Sequence, residues 1–275
     1  MNNNTQGVYK TTQKDGSTYY RVSITHKGKH ISLGSFKKED EAGYAYIEAK
    51  EILSDPEITI KKIIVYEEFY YLSFEKRISL INFRDNNIYI ANPIYIMNKM
   101  FYYYLSADEI LKFDADELFY YSSHKIQKRG GHIFVNDFGK QLNLVNRYGI
   151  KAHAVYGRDY IFKNGDIYDF RISNIEIINS YNGVSGGIDR KRNKYKAVIH
   201  LKGNFTVGHY DTPEEAAIAY NKAVDMLSDI GFPVKYETNE IKKLNKNQIT
   251  AIYNKIKVPE KIKNAALAII TSQAQ

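Results

Sequence analysis

The chain of 275 residues contains no cysteine and no tryptophan. Without cysteine there are no disulfide bonds and no thiolate metal sites, so any metal would need His, Asp, Glu or Asn ligands. No apolar run approaches the roughly 20 residues of a membrane span, and the start, MNNNTQGVYK, lacks a hydrophobic signal core. We therefore expect no membrane partner. The expected location is the cytoplasm or the nucleoid.

Basic residues outnumber acidic ones, with 39 Lys and Arg against 31 Asp and Glu, a net charge of +8 and a pI near 9.2. This excess favours a polyanionic partner such as nucleic acid, although many basic proteins bind nothing acidic. The length suits two or three small domains. A hydrophobic content of 44% is enough to build packed cores for them.

Two stretches near the ends of the chain resemble each other. Gly7 to Leu53 reads GVYKTTQKDGSTYYRVSITHKGKHISLGSFKKEDEAGYAYIEAKEIL, and Gly183 to Leu227 reads GVSGGIDRKRNKYKAVIHLKGNFTVGHYDTPEEAAIAYNKAVDML. Tyr20, Ile24 and Gly28 recur in order as Tyr195, Ile199 and Gly203; after a one-residue gap, Gly34, Phe36, Glu41, Ala42 and Tyr46 recur as Gly208, Tyr210, Glu215, Ala216 and Tyr220. Chance seldom produces so many ordered matches, which indicates a duplicated module.

Each copy predicts three short strands followed by a helix. Apolar and polar residues alternate in the second strand of the first copy, as a half-buried strand requires. The helices begin at Glu39 and at Pro213, the latter with Thr212 as N-cap. Cations concentrate in the strands: there are five Lys and Arg and one acid from Tyr9 to His30, and six and none from Arg190 to Lys202. The strands are either solvated outer strands of a small α+β domain or a surface that meets phosphates and bases.

The pattern of these copies, most clearly TPEEAAIAY, resembles the Apetala/ethylene-response-factor DNA-binding domain along almost the whole of each copy. The resemblance implies a three-stranded sheet lying in the major groove of duplex DNA. Both copies lack the tryptophans and most of the arginines of the plant proteins, so it implies attraction to the DNA backbone more than base specificity. The DNA-facing residues that it implies are Tyr9, Thr11, Arg21, Ser23, Thr25, His30 and Ser32 in the first copy and Ser185, Arg190, Arg192, Lys194, Lys196, Val198, His200 and Thr206 in the second.

Between the copies, RDYIFKNGDIYDFRISNIEII resembles the HNH endonuclease family, in particular the phage and mobile-intron type that carries an Apetala-like domain downstream. The family pattern is roughly L-H-R, then V-D-H-x-N-G-D-x-x-D-N-R-x-x-N-L. Asn143 stands where the first histidine is expected and Phe162 where the second is. Asp169 and Asn174 match the last D and N of the motif, and Asn164, Gly165 and Asp166 match its turn.

An HNH site needs a base to deprotonate the attacking water and a divalent ion to stabilise the phosphate. Phe162 supplies neither function, and Asn143 is no base. One interpretation is therefore an inactive nuclease fold, without catalytic or metal-binding residues and without a cofactor. The second is an active, Mg²⁺-dependent endonuclease with substitute ligands such as His153, Asp159, Asp166 and Asp169. The third is an unrelated strand, turn and helix.

Together these features predict an α+β protein with two small sheet-plus-helix DNA-binding domains (1–55 and 181–236) on either side of a degenerate ββα, HNH-like centre (56–180). A helical tail (237–275) follows, with one amphipathic helix from Ile241 to Lys257, broken near Asn245, and at most one further turn after Pro259. It is expected to dock on the second copy or, alternatively, to bind a partner. The predicted function is non-catalytic binding of duplex DNA. The alternatives are the active endonuclease and a phage structural protein that uses these modules for protein contacts. For a phage protein, the expected location is the infected cell or the virion.

Overall fold

The computed structural model of the protein describes residues 6–12, 15–65, 70–137, 139–151, 154–157, 159–179, 181–185, 188–189, 192–193 and 195–273. It has the predicted mixed α+β architecture, with small antiparallel sheets of two or three strands and seven α-helices in the described parts. In those parts, none of the helices has the length and apolar character needed to cross a membrane. The chain forms two compact units, Met1–Leu144 with Asn164–Asn174, and Val145–Lys163 with Ile175–Gln275.

Unit 1 begins with the first module, in which strands β1 (Val8–Thr12), β2 (Thr18–His26) and β3 (Lys29–Phe36) form an antiparallel sheet and helix α1 (Glu39–Ser54) covers one face. Alternation sorts the side chains of β2: Val22 and Ile24 are buried, and Arg21 and Thr25 are exposed. Small residues of α1 are fully buried, which lets the helix lie close to the sheet. The predicted start of the helix at Glu39 is confirmed.

The rest of unit 1 adds helices to this core and builds two more sheets. Its elements are α2 (Ile60–Val65), α3 (Phe74–Asn86), β4 (Ile94–Ile96), β5 (Met100–Tyr104), β6 (Ile110–Asp114), a 3-10 helix (Ala115–Glu117), α4 (Leu118–Ser123), β7 (Ile126–Arg129), β8 (His132–Asp137), β9 (Lys140–Asn143) and a 3-10 helix (Ile172–Asn174). Helix α3 shares one apolar core with the first module through Ile78, Leu80 and Ile81. A second aromatic cluster joins Phe113 to Phe101, Tyr121 and Phe170.

Unit 2 contains the second module and the tail. Its elements are β10 (Tyr160–Phe162), β11 (Ile175–Ile177), β12 (Val184–Ser185), β13 (Ile188–Asp189), β14 (Arg192–Asn193), β15 (Tyr195–His200), β16 (Asn204–Tyr210), α5 (Pro213–Asp229), α6 (Lys246–Lys255) and α7 (Glu260–Gln273). A 3-10 helix (Leu144–Tyr148) lies where the chain passes from unit 1 to unit 2. Strands β12, β15 and β16 form the sheet under α5. Thr212 caps α5 as predicted, in a capping box with Glu215.

The two modules share an unusual packing constraint at their first residue. Gly7 and Gly183 both have positive φ, at 77° and 66°. A Cβ on Gly7 would overlap the ring of Tyr46, and one on Gly183 would overlap the ring of Tyr220. Each glycine carbonyl also accepts a hydrogen bond from the central strand, 2.9 Å from the Ser23 nitrogen in the first module and 2.7 Å from the Val198 nitrogen in the second. Glycine is therefore required at both positions by conformation and by space.

Both sheets also carry a bulge at the same place. Val22 pairs with Gly34 and Ser23 with Ser32, so Leu33 is the extra residue in β3. In the second sheet Ala197 pairs with Gly208 and Val198 with Thr206, which leaves out Val207. Both extra residues are buried. A bulge kinks the strand and increases its twist, so the two sheets share a local distortion that the alternation of residues does not predict.

The sequence predicts one small core in each module, with Tyr20, Ile24, Leu33, Ala45 and Tyr46 in the first and Tyr195, Ile199, Val207, Ala219 and Tyr220 in the second, and most of these residues are buried. Ile24, Leu33 and Ala45 are buried in the first core, and Ile199, Val207, Ala219 and Tyr220 are buried in the second. Tyr20, Tyr46 and Tyr195 only pack partly against these cores. A half-buried tyrosine keeps its hydroxyl near water while its ring covers apolar surface.

Two parts of the chain differ from expectation: residues 159–179, which we call the nuclease-like segment, and the tail. A strand at Tyr160–Phe162, a turn with Gly165 at φ 77° and a helical turn at Ile172–Asn174 are present as predicted. Within the described residues 159–179, however, no α-helix follows: β11 pairs back onto β10, so the segment is a hairpin with a long loop. The predicted boundaries after residues 55, 180 and 236 stay predictions, although residues 56–180 contribute to both units.

The tail forms two helices. The predicted helix from Ile241 is wrong in its start, because Asn245 caps α6 in a capping box with Gln248. The expectation of at most one further turn after Pro259 is also wrong, since α7 has 14 residues. Docking on the second module is confirmed: Ile256, Ile262 and Ala266 are buried in its core.

Candidate nucleic-acid interface

The register of the first sheet decides which side chains share its outer face, the face away from α1. Tyr9 pairs with Arg21, and Arg21 pairs with Ser35. Directly paired residues project to the same side of a sheet, so these three form a row across all three strands. Thr25 pairs with His30, and their side chains approach to 3.4 Å. We call this surface the first sheet face; it comprises Tyr9, Thr11, Tyr19, Arg21, Ser23, Thr25, His30, Ser32 and Ser35.

The structure brings all seven residues implied for the first copy onto this face. Tyr9 exposes 58% of its surface, and Arg21 is also exposed. Sequence reasoning missed Tyr19 and Ser35. The alternation that places Arg21 on this face also places Tyr19 there. Ser35 could not be placed in this way, because the bulge shifts the pairing of β3 with β2 by one residue.

Arg21 is held in place by its neighbour on the same strand. Its Nη2 donates a hydrogen bond of 2.9 Å to the Tyr19 hydroxyl, and the guanidinium carbon lies 5.5 Å from the centre of the Tyr19 ring. Arginine presents several N–H donors in a rigid plane that matches phosphate and guanine edges. A partly ordered guanidinium loses less freedom on binding than a free one.

The basic residues of the first copy are more dispersed than the sequence predicts. Arg21 is the only formal cation among the described residues of the first sheet face. Lys10 and Lys29 pair with residues of the helix side, and Lys27 in the turn donates to Asn87. Lys14 lies outside the described residues. The expectation of a strongly basic face is corrected: the face is polar and aromatic, with one central charge.

The outer face of the second sheet has the same layout but is less open than that of the first. Lys196 takes the place of Arg21, because Ser185 and His209 pair with it on either side. Ser185, Lys196, Val198 and Thr206 are half-buried, whereas His200 and His209 are exposed. Lys196 therefore does not face solvent freely. Several of these residues form one wall of a cavity of about 680 Å³ within unit 2.

The remaining residues implied for the second copy are only partly described. Arg190 and Lys194 lie outside the described residues, and Arg192 is described only as backbone of β14, paired with Asp189. Sequence reasoning missed His209, which lies beside Lys196, and Asn204, whose Oδ1 is 2.8 Å from Nδ1 of His200.

In the loop between β10 and β11 (residues 163–174), which we call the nuclease-like loop, Asp169 is the centre of a hydrogen-bond network. Its buried carboxylate accepts from Arg171 Nε at 2.8 Å and Nη2 at 2.6 Å, and from Asn164 Nδ2 at 2.8 Å. Asn174 donates to the Asp169 carbonyl at 2.9 Å and accepts from the Asn164 nitrogen at 3.0 Å. Burial raises the pKa of Asp169, but the hydrogen bonds and charge of Arg171 outweigh it and lower the pKa overall. The carboxylate thus remains charged and stabilises the loop.

The other acidic residues of the nuclease alternative are also engaged. Asp166 accepts a 2.6 Å hydrogen bond from Lys112 Nζ, which raises the pKa of that lysine. Asp159, in unit 2, accepts from the Val155 nitrogen at 2.8 Å, and His153 lies outside the described residues. In the described parts of the chain, no three His, Asp or Glu side chains are grouped as metal ligands.

At the two positions where the HNH resemblance predicts histidines, the side chains are part of strands and pack in the fold. Asn143 is half-buried in β9, paired with Phe134. Phe162 is buried in β10, with its ring centre 5.7 Å from that of Tyr156 and 5.9 Å from that of Tyr160. A phenylalanine ring in an aromatic cluster neither accepts a proton nor binds a divalent ion.

Comparison with protein-family models, with curated proteins and with solved structures finds no match to this chain. A functional interpretation therefore rests on the chemistry of its own side chains. The first sheet face offers an open surface with an ordered arginine, and the nuclease-like loop offers carboxylates already neutralised by Lys112 and Arg171.

Proposed function

We propose that this protein binds duplex DNA without cleaving it, and that it is an HNH-endonuclease relative whose catalytic positions now hold Asn143 and Phe162. The first sheet face lies in the major groove. Three strands place their outer members roughly 10 Å apart, which suits a groove about 12 Å wide.

The observation that carries this proposal is the row Tyr9, Arg21 and Ser35 across the open face. Arg21 at its centre is suited to a phosphate or to a guanine edge, and Tyr9 adds an exposed ring. The opposite side of the module is acidic, because Glu39, Asp40 and Glu41 form the first turn of α1. The charge therefore favours one orientation of the module toward DNA.

The nuclease alternative is less well supported by the loop geometry. A metal-dependent site needs carboxylate oxygens that are free to ligate. Asp169 instead binds Arg171 and Asn164, and Asp166 binds Lys112. Removing these cations to admit a metal would leave a buried carboxylate without its partner, which costs several kcal/mol.

The proposal is tested by titrating a short fluorescent duplex with the protein and with Arg21→Ala. We expect Arg21→Ala to weaken binding about tenfold or more, since one good arginine contact contributes about 1–3 kcal/mol. Lys50→Ala is the matched control: it removes one positive charge from exposed helix α1, on the other side of the module. It should change the affinity by less than about twofold, because solvent and salt screen a distant charge.

Two results would count against the proposal. If wild type fails to bind duplex DNA at low salt, or if both variants weaken binding equally, the first sheet face is not the interface. Incubation of wild type with supercoiled plasmid and Mg²⁺ or Mn²⁺ should leave the plasmid intact. Nicking that disappears in Asp169→Ala would establish the nuclease alternative instead.

A further inference from the structure

A cavity of about 680 Å³ lies over the outer sheet face of the second module. Lys196, Val198 and His200 of β15 form one wall, and Lys151 and Lys235 contribute from segments before β10 and after α5. Small-molecule sites usually have volumes of about 300–1,000 Å³. The volume is therefore suited to a ligand of the size of one nucleotide.

The lining of this cavity is rich in cations. Among its lining residues that the structure describes, Lys151, Lys196 and Lys235 stand against two acids, Asp159 and Glu237. Asp159 already accepts hydrogen bonds from the Val155 nitrogen at 2.8 Å and from Asn179 Nδ2 at 3.2 Å. Since Glu237 is exposed to water, the attraction that the lining exerts on an anion is only partly cancelled.

Lys151 is the most informative of the three lysines. Its Nζ donates to Asn182 Oδ1 at 2.5 Å. Burial lowers the pKa of Lys151, and the negative charge of Glu237 offsets this only in part. An ammonium that has lost part of its water and whose charge is only partly balanced is stabilised by an incoming anion.

The position of Lys151 is supported by a chain of asparagines. The Asn182 nitrogen donates to Asn239 Oδ1 at 2.5 Å, and Asn239 Nδ2 returns a hydrogen bond to the Asn182 carbonyl at 3.0 Å. The Asn239 nitrogen donates to Asn221 Oδ1 of α5 at 2.7 Å. Because the acceptor of Lys151 is fixed to the helix behind the sheet, the ammonium is positioned before any ligand arrives, and less freedom is lost on binding.

We propose that this cavity binds a single nucleotide, with its phosphate at Lys151 and Lys196 and its base against Val198 and the ring of Tyr236. Tyr236 lines the same cavity and is fixed by a 2.7 Å hydrogen bond from its hydroxyl to the His200 carbonyl. The nucleotide is either free or part of single-stranded DNA, and both sources present the same phosphate ester and base. The inference concerns unit 2 alone and does not depend on duplex binding by the first sheet face.

The test is isothermal titration calorimetry of the full chain with deoxynucleoside monophosphates, with the corresponding nucleosides, and with a short single-stranded oligonucleotide. We expect monophosphates or the oligonucleotide to bind and nucleosides to bind at least about tenfold more weakly, since a charged hydrogen-bonded group contributes strongly to affinity. Tighter binding of the oligonucleotide per site identifies DNA as the source, and tighter binding of monophosphates identifies a free nucleotide.

Variants then locate the site. Lys151→Met removes the charge and keeps the length, and Val198→Phe fills the cavity and leaves every lysine in place. Both should weaken binding about tenfold or more, whereas Lys202→Met, an exposed lysine in the turn after β15, should have little effect. Circular dichroism will show whether Lys151→Met is folded. If it is not, Val198→Phe still tests the site.

Two outcomes overturn the inference. One is no binding of any phosphate-bearing ligand at about 1 mM, the weak end of specific affinities. The other is binding that neither Lys151→Met nor Val198→Phe reduces, which would place the nucleotide elsewhere. Arg21→Ala separates this site from the proposed duplex interface, since it should weaken duplex binding and leave nucleotide binding unchanged.

Discussion

Replacing Asp169 by Asn tests whether the nuclease-like loop is structural. The substitution keeps the shape of the side chain and removes its charge. In wild type the carboxylate accepts two hydrogen bonds from the Arg171 guanidinium and one from Asn164 Nδ2. An amide at this position places an N–H group opposite another donor, so at least one of these hydrogen bonds is lost whichever way the amide is oriented.

The size of the effect follows from burial. Asp169 is completely buried, and removing one partner of a buried ion pair costs about 3–5 kcal/mol. The Arg171 side chain is 36% exposed and regains water when its partner is lost, so the loss is smaller, about 2–3 kcal/mol. For domains of about 150–250 residues, each kcal/mol shifts Tm by about 2–4 °C. We therefore expect Tm to fall by about 4–12 °C.

The measurement is thermal unfolding of wild type and Asp169→Asn, followed by circular dichroism and calorimetry near neutral pH. Asp108→Asn serves as the control, because Asp108 is exposed in a loop of the same unit. It should leave Tm almost unchanged, as surface substitutions do. An unchanged or raised Tm in Asp169→Asn would refute the reasoning, because a residue kept for chemistry often reduces stability.

The remaining predictions concern pH and two glycines. The folded state lowers the pKa of Asp169 below its ordinary value of 3.8. The stabilisation by its carboxylate is therefore present above that value and is lost as pH falls through the lowered pKa. The Tm difference between wild type and Asp169→Asn should disappear in strong acid, and a difference that persists there would contradict the assignment. Gly7→Ala and Gly183→Ala should each destabilise by about 2–4 kcal/mol in urea unfolding, since both add strain at positive φ and overlap with a tyrosine ring. Gly16→Ala has the same kind of φ with no atom within 4 Å of the added Cβ, so it should cost only about 1 kcal/mol, and equal losses at all three positions would show that the ring contact does not matter.

Local chemistry in the sequence determined much of the two modules. Alternation places Arg21 and Thr25 on one face of β2, and the Thr212–Pro213 pair determines where α5 begins. These features depend on residues a few positions apart, where side-chain geometry and capping act directly on the backbone. The break near Asn245, before α6, was anticipated in the same way. The seven residues of the first copy that the family resemblance implied share one face of the sheet.

Tertiary structure decided the electrostatics and the concave surfaces. Lys112 neutralises Asp166 although 54 residues separate them, and Lys151 reaches Asn182 across 31 residues. The cavity over the second sheet exists because segments distant in sequence fold over Lys196, while the equivalent Arg21 stays open to solvent. The two copies have similar sequences but different neighbours, and packing against those neighbours, which no local pattern encodes, determines whether a cation faces water, a carboxylate or a cavity.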